Sequence, residues 1–220
     1  MQESGAQRWP LVFTRKERSL LKNFLVEKCS NIDGYEYRTG RNAYPFNLIE
    51  LPREICKKIF TEELELFLTS YFGSKPIIYT SEIIVVEAMS PQQQFHRDHG
   101  SGPNVAVCLA FTADGSKLGT LFISGSHLDN QNSDDTVLYG DLLKDPQDEK
   151  KIDSASWTND GLLYDIFTLH AGCKNNSKID KNLRIFITFF PSILHEQKGI
   201  ELKRDILSTF PEAKWADFTT

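Results

Sequence analysis

The stretch Gln94-Phe95-His96-Arg97-Asp98-His99-Gly100 decides how the rest of the chain is read. It carries a His-x-Asp pair, His96 and Asp98. In an extended segment the side chains at i and i+2 point to one face, so this imidazole and this carboxylate project side by side into one space. Two ligands do not make a metal site. The third candidate lies far downstream, where the apolar run Leu162-Leu163-Tyr164-Asp165-Ile166-Phe167-Thr168-Leu169 ends in His170. Neighbouring polar residues have weaker claims. His99 points away from Asp98 in an extended chain, Arg97 alternates outward toward a salt bridge or the pocket rim, and His195 lies beyond the core.

Two further segments give the pair a context. Gly119-Thr120-Leu121-Phe122-Ile123-Ser124-Gly125-Ser126-His127 reads as a strand closed by a tight turn, with His127 stabilising the turn or bordering a pocket. Asn182-Leu183-Arg184-Ile185-Phe186-Ile187-Thr188-Phe189-Phe190 is an aromatic and β-branched strand that opens on an arginine. A guanidinium at the start of a buried strand needs an anionic partner, because an unpaired buried charge is expensive. A small dicarboxylate gripped by a bidentate fork would supply one. Two histidines and one carboxylate form the facial triad of non-haem Fe(II) oxygenases, which leaves three coordination positions open.

Taken together, the His-x-Asp pair, the Gly-Thr-Leu-Phe-Ile-Ser-Gly-Ser-His segment, the distal His170 and the trailing Arg184 resemble the phytanoyl-CoA dioxygenase family of Fe(II)/2-oxoglutarate oxygenases. The resemblance runs from about Ser81 to Phe190 and keeps the family's order. One departure is the spacing: Arg184 follows His170 by fourteen residues, a few more than is usual, and the polar loop over 174–182 holds the extra ones. The resemblance implies a double-stranded β-helix. It implies Fe(II) held by His96, Asp98 and His170, with 2-oxoglutarate chelating the metal and Arg184 holding its far carboxylate. O₂ is then the second co-substrate, and a C–H bond is hydroxylated with release of succinate and CO₂. Tyr79, on a neighbouring strand, is a candidate hydroxyl donor to the co-substrate, with simple packing as the alternative. The retained Asp98 favours hydroxylation over halogenation, because related halogenases put a small residue there. Asn175, Asn176 and Ser177 match the family's polar turn or satisfy loop backbone. Two other readings stay open: a jelly-roll protein that binds metal without turnover, and a metal-dependent hydrolase using Zn²⁺ and a bound water. Arg184 discriminates, since hydrolysis has no need of a buried arginine facing the metal.

Composition bounds the rest. The 220 residues are read as a single oxygenase domain, with a helical part over about 1–75, a β core over about 76–192 and a helix over about 199–210. Apolar residues make up 40%, enough for a core, and 15 phenylalanines suit a packed β interior. A net charge of −5 argues against nucleic acid, which requires a basic face. No apolar stretch approaches the roughly 18 residues of a membrane span. Met1–Gly5 lacks a signal-like apolar core, and the terminal Thr219-Thr220 is no peroxisomal address. The expectation is a cytoplasmic enzyme acting on a small molecule or a protein side chain, with neither nucleic acid nor membrane as partner. Cys29, Cys56, Cys108 and Cys173 show no Cys-x-x-Cys spacing and are read as free thiols.

Along the chain, residues 1–13 read as an extended lead-in. Thr14-Arg15-Lys16-Glu17 is a capping box opening a helix to about Cys29. Tyr35–Asn47 reads as a polar loop, either solvated or reaching over the site. Pro52 starts a helix whose apolar spacing runs through Tyr71 to Gly73 as its C′ stop. From Pro76 the period shortens to that of strands. Asp129–Thr158 is long and polar and reads as an insertion over a barrel mouth. Helices followed by many short strands argue for a mainly β fold with flanking helices, a cupin-like jelly roll.

Overall fold

The N-terminal residues are not a mere lead-in. In the computed structural model Ala6–Trp9 form β1, paired antiparallel with a strand more than 150 residues away, Ala6 opposite Tyr164 and Trp9 opposite Gly161. The structure describes residues 1–98, 106–116, 119–128, 151–153 and 160–192, together with Trp215 and Phe218. His99, His195, the helix read over 199–210 and most of the stretch 129–158 lie outside those residues.

Helix α1 (Arg15–Asn31) starts as its sequence predicts. The Thr14 hydroxyl accepts from the Glu17 amide, and the Glu17 carboxylate accepts from the Thr14 amide. The stretch after it is a hairpin, not a loop: β2 (Tyr35–Arg38) and β3 (Arg41–Pro45) pair with each other. The apolar run from Pro52 is two helices, α2 (Arg53–Ile59) and α3 (Glu62–Phe72). Thr61 breaks it by capping α3 through the Leu64 amide, while the apolar spacing carries on across the corner. Gly73 ends α3 in the left-handed region at φ 71°, where a residue without Cβ is least strained.

The remaining strands are β4 (Pro76–Val86), β5 (Val107–Thr112), β6 (Thr120–Ile123), β7 (Lys151–Asp153), β8 (Gly161–Asp165), β9 (His170–Gly172) and β10 (Asn182–Pro191). Seven strands form the larger sheet in the order β1-β8-β5-β10-β4-β3-β2, and three form a smaller one, β7-β6-β9. Every named pairing is antiparallel.

The two-residue period sorts the larger sheet into two faces. Ile185, Ile187 and Phe189 of β10, Leu109 and Phe111 of β5, and Ile83 and Val85 of β4 pack with Leu21, Leu25, Ile55, Ile59, Leu64 and Leu68 of the helices. Each such side chain contributes about 1.5–3 kcal/mol by leaving water, so the helical layer anchors this face. Trp215 and Phe218 close back onto it, with the Phe218 ring stacked on Phe60 at 4.3 Å. The alternate residues of β10, namely Arg184, Phe186, Thr188 and Phe190, turn to the opposite face and line a cavity. One irregularity matters there. Thr80 pairs with Thr188 and Ile78 with Phe189, so Tyr79 is an extra residue in β4. That bulge brings Tyr79 onto the cavity side. Two antiparallel sheets facing each other, with helices on the outside of the larger, make the double-stranded β-helix that the sequence predicts. Among the described residues no helix is long and apolar enough to cross a membrane.

Candidate metal centre

His170 is placed by the smaller sheet and His96 is placed by His170. In β9, His170 pairs with Phe122 of β6. His96 then forms an isolated antiparallel bridge to His170, each amide donating to the other's carbonyl at 2.9 Å. Backbone pairing therefore juxtaposes two side chains 74 residues apart in sequence. The Asp98 amide donates to the Ile166 carbonyl at 3.1 Å, which turns the chain at a bend and returns the carboxylate to the histidines. Asp98 Oδ1 lies 3.6 Å from His96 Nε2 and 3.4 Å from His170 Nε2. The three ligand atoms fall within 4.8 Å of one another. Adjacent corners of an octahedron with arms of about 2.1 Å are roughly 3 Å apart, so a small contraction would seat one cation.

The hydrogen bonds select the right nitrogens. His96 Nδ1 contacts the Gln94 carbonyl at 2.8 Å and His170 Nδ1 contacts the Thr168 carbonyl at 2.9 Å. A carbonyl can only accept, so each Nδ1 carries the proton and each Nε2 lone pair faces the common point. The Tyr164 hydroxyl donates to Asp98 Oδ2 at 3.1 Å and leaves Oδ1 for the cation. Both imidazoles are buried at 6% exposure.

Charge states follow from these contacts. Burial, with the second imidazole beside it, lowers the His96 pKa to about 4. Burial also opposes a charge on His170, but the Asp98 carboxylate and its hydrogen bond outweigh this and raise its pKa above 6.5. Burial disfavours the Asp98 carboxylate, yet the two histidines and Tyr164 prevail and hold it below its usual range. Burial keeps Tyr164 a neutral phenol well above its ordinary pKa, so it remains a donor.

Arg184 lies on the larger sheet, facing the same cavity of about 290 Å³ that His96, Asp98 and His170 border. It is 6% exposed. Among the described residues its one side-chain hydrogen bond runs from Nε to Asn182 Oδ1 at 2.7 Å, and no carboxylate pairs with it. Burial, and then the Arg41 guanidinium, hold its pKa down to about 10. Such a group is short of an anion, and its two terminal nitrogens are the part left to supply a fork. Tyr79 borders the same cavity and packs edge-on to Phe190 at 4.6 Å.

The other polar residues of the region are placed as follows. Arg97 turns inward at 8% exposure, donating to the Phe167 and Ser126 carbonyls at 2.7 Å and covering the Phe167 ring. His127 is buried and meets the Gln2 carbonyl at 3.1 Å, holding the N-terminal segment to the Gly-Ser-His turn, where Gly125 has φ 78°. Asn175 donates to the Glu87 and Asp180 carbonyls and satisfies loop backbone.

Three residues near the site have no signal in the motifs. Arg41 is 2% exposed, and its guanidinium donates to the carbonyls of Pro91 at 2.9 Å and Cys173 at 3.0 Å. Tyr164 is visible only once the phase of β8 is known. Glu82 lines the cavity among β-branched neighbours that read as core.

Comparison with solved structures supports the fold. AviO1 from Streptomyces viridochromogenes Tue57 is 15% identical, with a TM-score of 0.61 over 86% of this chain and 90% of that one. SnoN, a non-haem α-ketoglutarate-dependent epimerase from nogalamycin biosynthesis, is 13% identical with a TM-score of 0.65, covering 86% and 80% of the two chains. HygX from Streptomyces hygroscopicus, solved with nickel, 2-oxoglutarate and hygromycin B bound, is 13% identical with a TM-score of 0.62 over 87% and 84%. At such identities the likeness establishes the double-stranded β-helix and nothing finer. No protein-family model matches the chain, and no curated protein matches it in sequence.

Proposed function

We propose that the protein is an Fe(II)- and 2-oxoglutarate-dependent oxygenase that hydroxylates a C–H bond. The observation that carries this reading is the pairing, across one cavity, of a two-histidine, one-carboxylate donor set with a buried arginine that has no carboxylate partner among the described residues. The donor set suits Fe(II): two neutral imidazoles and one carboxylate, with coordination positions left over. The fold is shared with proteins whose structures hold this chemistry: SnoN with Fe³⁺ and α-ketoglutarate, and HygX with nickel and 2-oxoglutarate. Within that class the order of His96, Asp98, Gly119–His127, His170 and Arg184 favours the phytanoyl-CoA dioxygenase branch.

The chain's own residues would act as follows. His96, Asp98 and His170 hold the metal, with their ligand atoms fixed by the Gln94 and Thr168 carbonyls and the Tyr164 hydroxyl. Arg184 takes the distal carboxylate of 2-oxoglutarate through its terminal nitrogens, a bidentate contact that places the 2-oxo acid end toward the metal. Tyr79 is a further donor within the cavity. Ile84, Ile166, Phe186 and Phe190 exclude water from the wall. Fe(II) held by His96, Asp98 and His170 would supply the redox chemistry by which O₂ and 2-oxoglutarate give succinate, CO₂ and a hydroxylated substrate. The substrate on this reading is a small molecule or a protein side chain, not nucleic acid, in a protein acting in the cytoplasm.

The test is anaerobic. Fe(II)-loaded protein given 2-oxoglutarate is expected to develop a visible charge-transfer band, and to release succinate when air is admitted. Metal bound with neither band nor succinate would overturn the reading.

A further inference from the structure

The cavity contains a carboxylate that metal and 2-oxoglutarate do not use. Glu82 lies on β4 between Phe186 of β10 and Pro45 of β3, on the face that borders the cavity. Among the described residues its carboxylate meets one polar side chain, the Tyr35 hydroxyl, which donates at 3.2 Å. No lysine or arginine among those residues forms an ion pair with it. Arg184 stands one diagonal step away on the same face of the sheet, since Glu82 pairs with Phe186 and Ile84 with Arg184. Arg184 is instead held by Asn182, so two opposite charges share one cavity without pairing. Each is therefore left to a ligand of the other sign.

The surroundings of Glu82 suit one kind of ligand. Tyr35, Tyr37 and Tyr79 line the same cavity. Tyr35 and Tyr37 come from the hairpin and are 43% and 39% exposed, so they stand at its opening. Burial and the neighbouring Glu82 raise the Tyr35 pKa to about 12, and burial raises those of Tyr37 and Tyr79, so all three present neutral rings and phenol donors. A carboxylate bordered by neutral aromatic rings is the arrangement that attracts an organic cation, through charge pairing and through the negative faces of the rings. Burial, with Asp98 adding to it against the Tyr35 hydrogen bond, raises the Glu82 pKa, so its carboxylate gains from a cation beside it and gains nothing from a neutral or anionic ligand.

We propose that the substrate carries a cationic nitrogen, a protonated amine or alkylammonium, which docks on Glu82 among Tyr35, Tyr37 and Tyr79. That this cation belongs to the substrate rests on the oxygenase reading above. The subsite itself does not.

The experiment uses the whole 220-residue chain, metal-free, and follows ligand binding by NMR at the tyrosine ring resonances. The probes are butylammonium and tetramethylammonium, the neutral isostere butanol, the anion butyrate, and Nα-acetyl-lysine amide. Butylammonium is expected to bind about ten-fold more tightly than butanol, the scale of one hydrogen-bonded charge. Glu82→Gln, with an unchanged circular-dichroism melt, is expected to abolish that preference, and Tyr37→Leu to weaken both cations. Nα-acetyl-lysine amide binding more tightly than butylammonium would assign a lysine side chain as the source, and the reverse a small amine. Equal binding of butanol and butylammonium, preference for butyrate, or a preference that survives Glu82→Gln would overturn the subsite. Cation binding without a 2-oxoglutarate charge-transfer band in wild-type protein would sink the oxygenase reading and leave the subsite standing.

Discussion

At His96 and His170 the backbone carbonyl two residues upstream accepts a hydrogen bond from Nδ1–H, and this fixes Nε2 as the nitrogen free to ligate. Because Asp98 raises the pKa of His170, a proton would compete with a metal for that ring until the pH exceeds the raised value. The sign follows. In the metal-free chain the His170 imidazolium–Asp98 pair contributes stability below pH 6.5, and that contribution is lost as pH rises through the raised value. Metal binding displaces the same proton, so affinity rises with pH across that window, while His96, at about 4, stays neutral throughout. Co(II) titrations at pH 6 and pH 8 should show tighter binding at pH 8; equal affinity would contradict the assignment. Arg184 makes the second prediction at this scale. Arg184→Lys keeps the charge but loses the planar fork. It is expected to raise the KM for 2-oxoglutarate by about 10- to 150-fold, from the roughly 1.5–3 kcal/mol of a hydrogen bond to a charged group. Metal affinity should stay where it was, as isothermal titration would show.

At the scale of elements, what was legible depended on whether side chains or backbone did the specifying. The α1 cap was readable because its two contacts are local, three residues apart. Thr14→Ala should cost about 1 kcal/mol, measured by urea denaturation. The Glu17 pKa lies below 4.5, chiefly because its carboxylate accepts from the Thr14 amide. Its contribution is therefore present above pH 4.5 and lost as pH falls through the lowered value. Wild type and Thr14→Ala should both lose this contribution on acidification, because the variant keeps the backbone amide at position 14, whereas Glu17→Gln should not show that loss. The hairpin was not readable, because all four residues of β2 are exposed and nothing in their pattern announces a strand. What makes it one is the ladder on β4, with Ala43 opposite Ile84, and that is a property of the partner. β1 is missed for the same reason, being a short edge strand with a single fully buried residue, Ala6. The convergence of His96, Asp98 and His170 was legible for a different reason: they are chemically conspicuous residues, so their types point to a candidate site even where Asp98 sits in a bend, not in a regular strand. Glu82 and Tyr164 were hidden inside strands that read as core, and only the phase of each strand reveals that they face the cavity.

At the scale of the molecule, one buried side chain ties the hairpin to both halves of the candidate metal centre. Arg41 reaches from β3 to the Pro91 carbonyl, just ahead of His96, and to the Gly172 and Cys173 carbonyls, just after His170. Gln93 adds a second tie, its side-chain oxygen accepting from the Gly172 amide at 2.9 Å. The bridge between His96 and His170 is thus bounded on one side by contacts that a hairpin residue makes. Arg41→Met keeps the apolar stem and removes the donors, leaving the partly buried Pro91 and Cys173 carbonyls without their guanidinium partner, while the Gly172 carbonyl keeps the Gln93 amide. The expected loss is about 3 kcal/mol of unfolding free energy. Because the strap joins the segments of two ligands, the same substitution should weaken metal binding by about 10- to 100-fold, as loss of supporting contacts does at metal sites. Paired measurements of urea unfolding and Co(II) affinity check it. A destabilised protein with unchanged affinity would mean that the bridge holds the histidines unaided, and that the hairpin serves the opening alone.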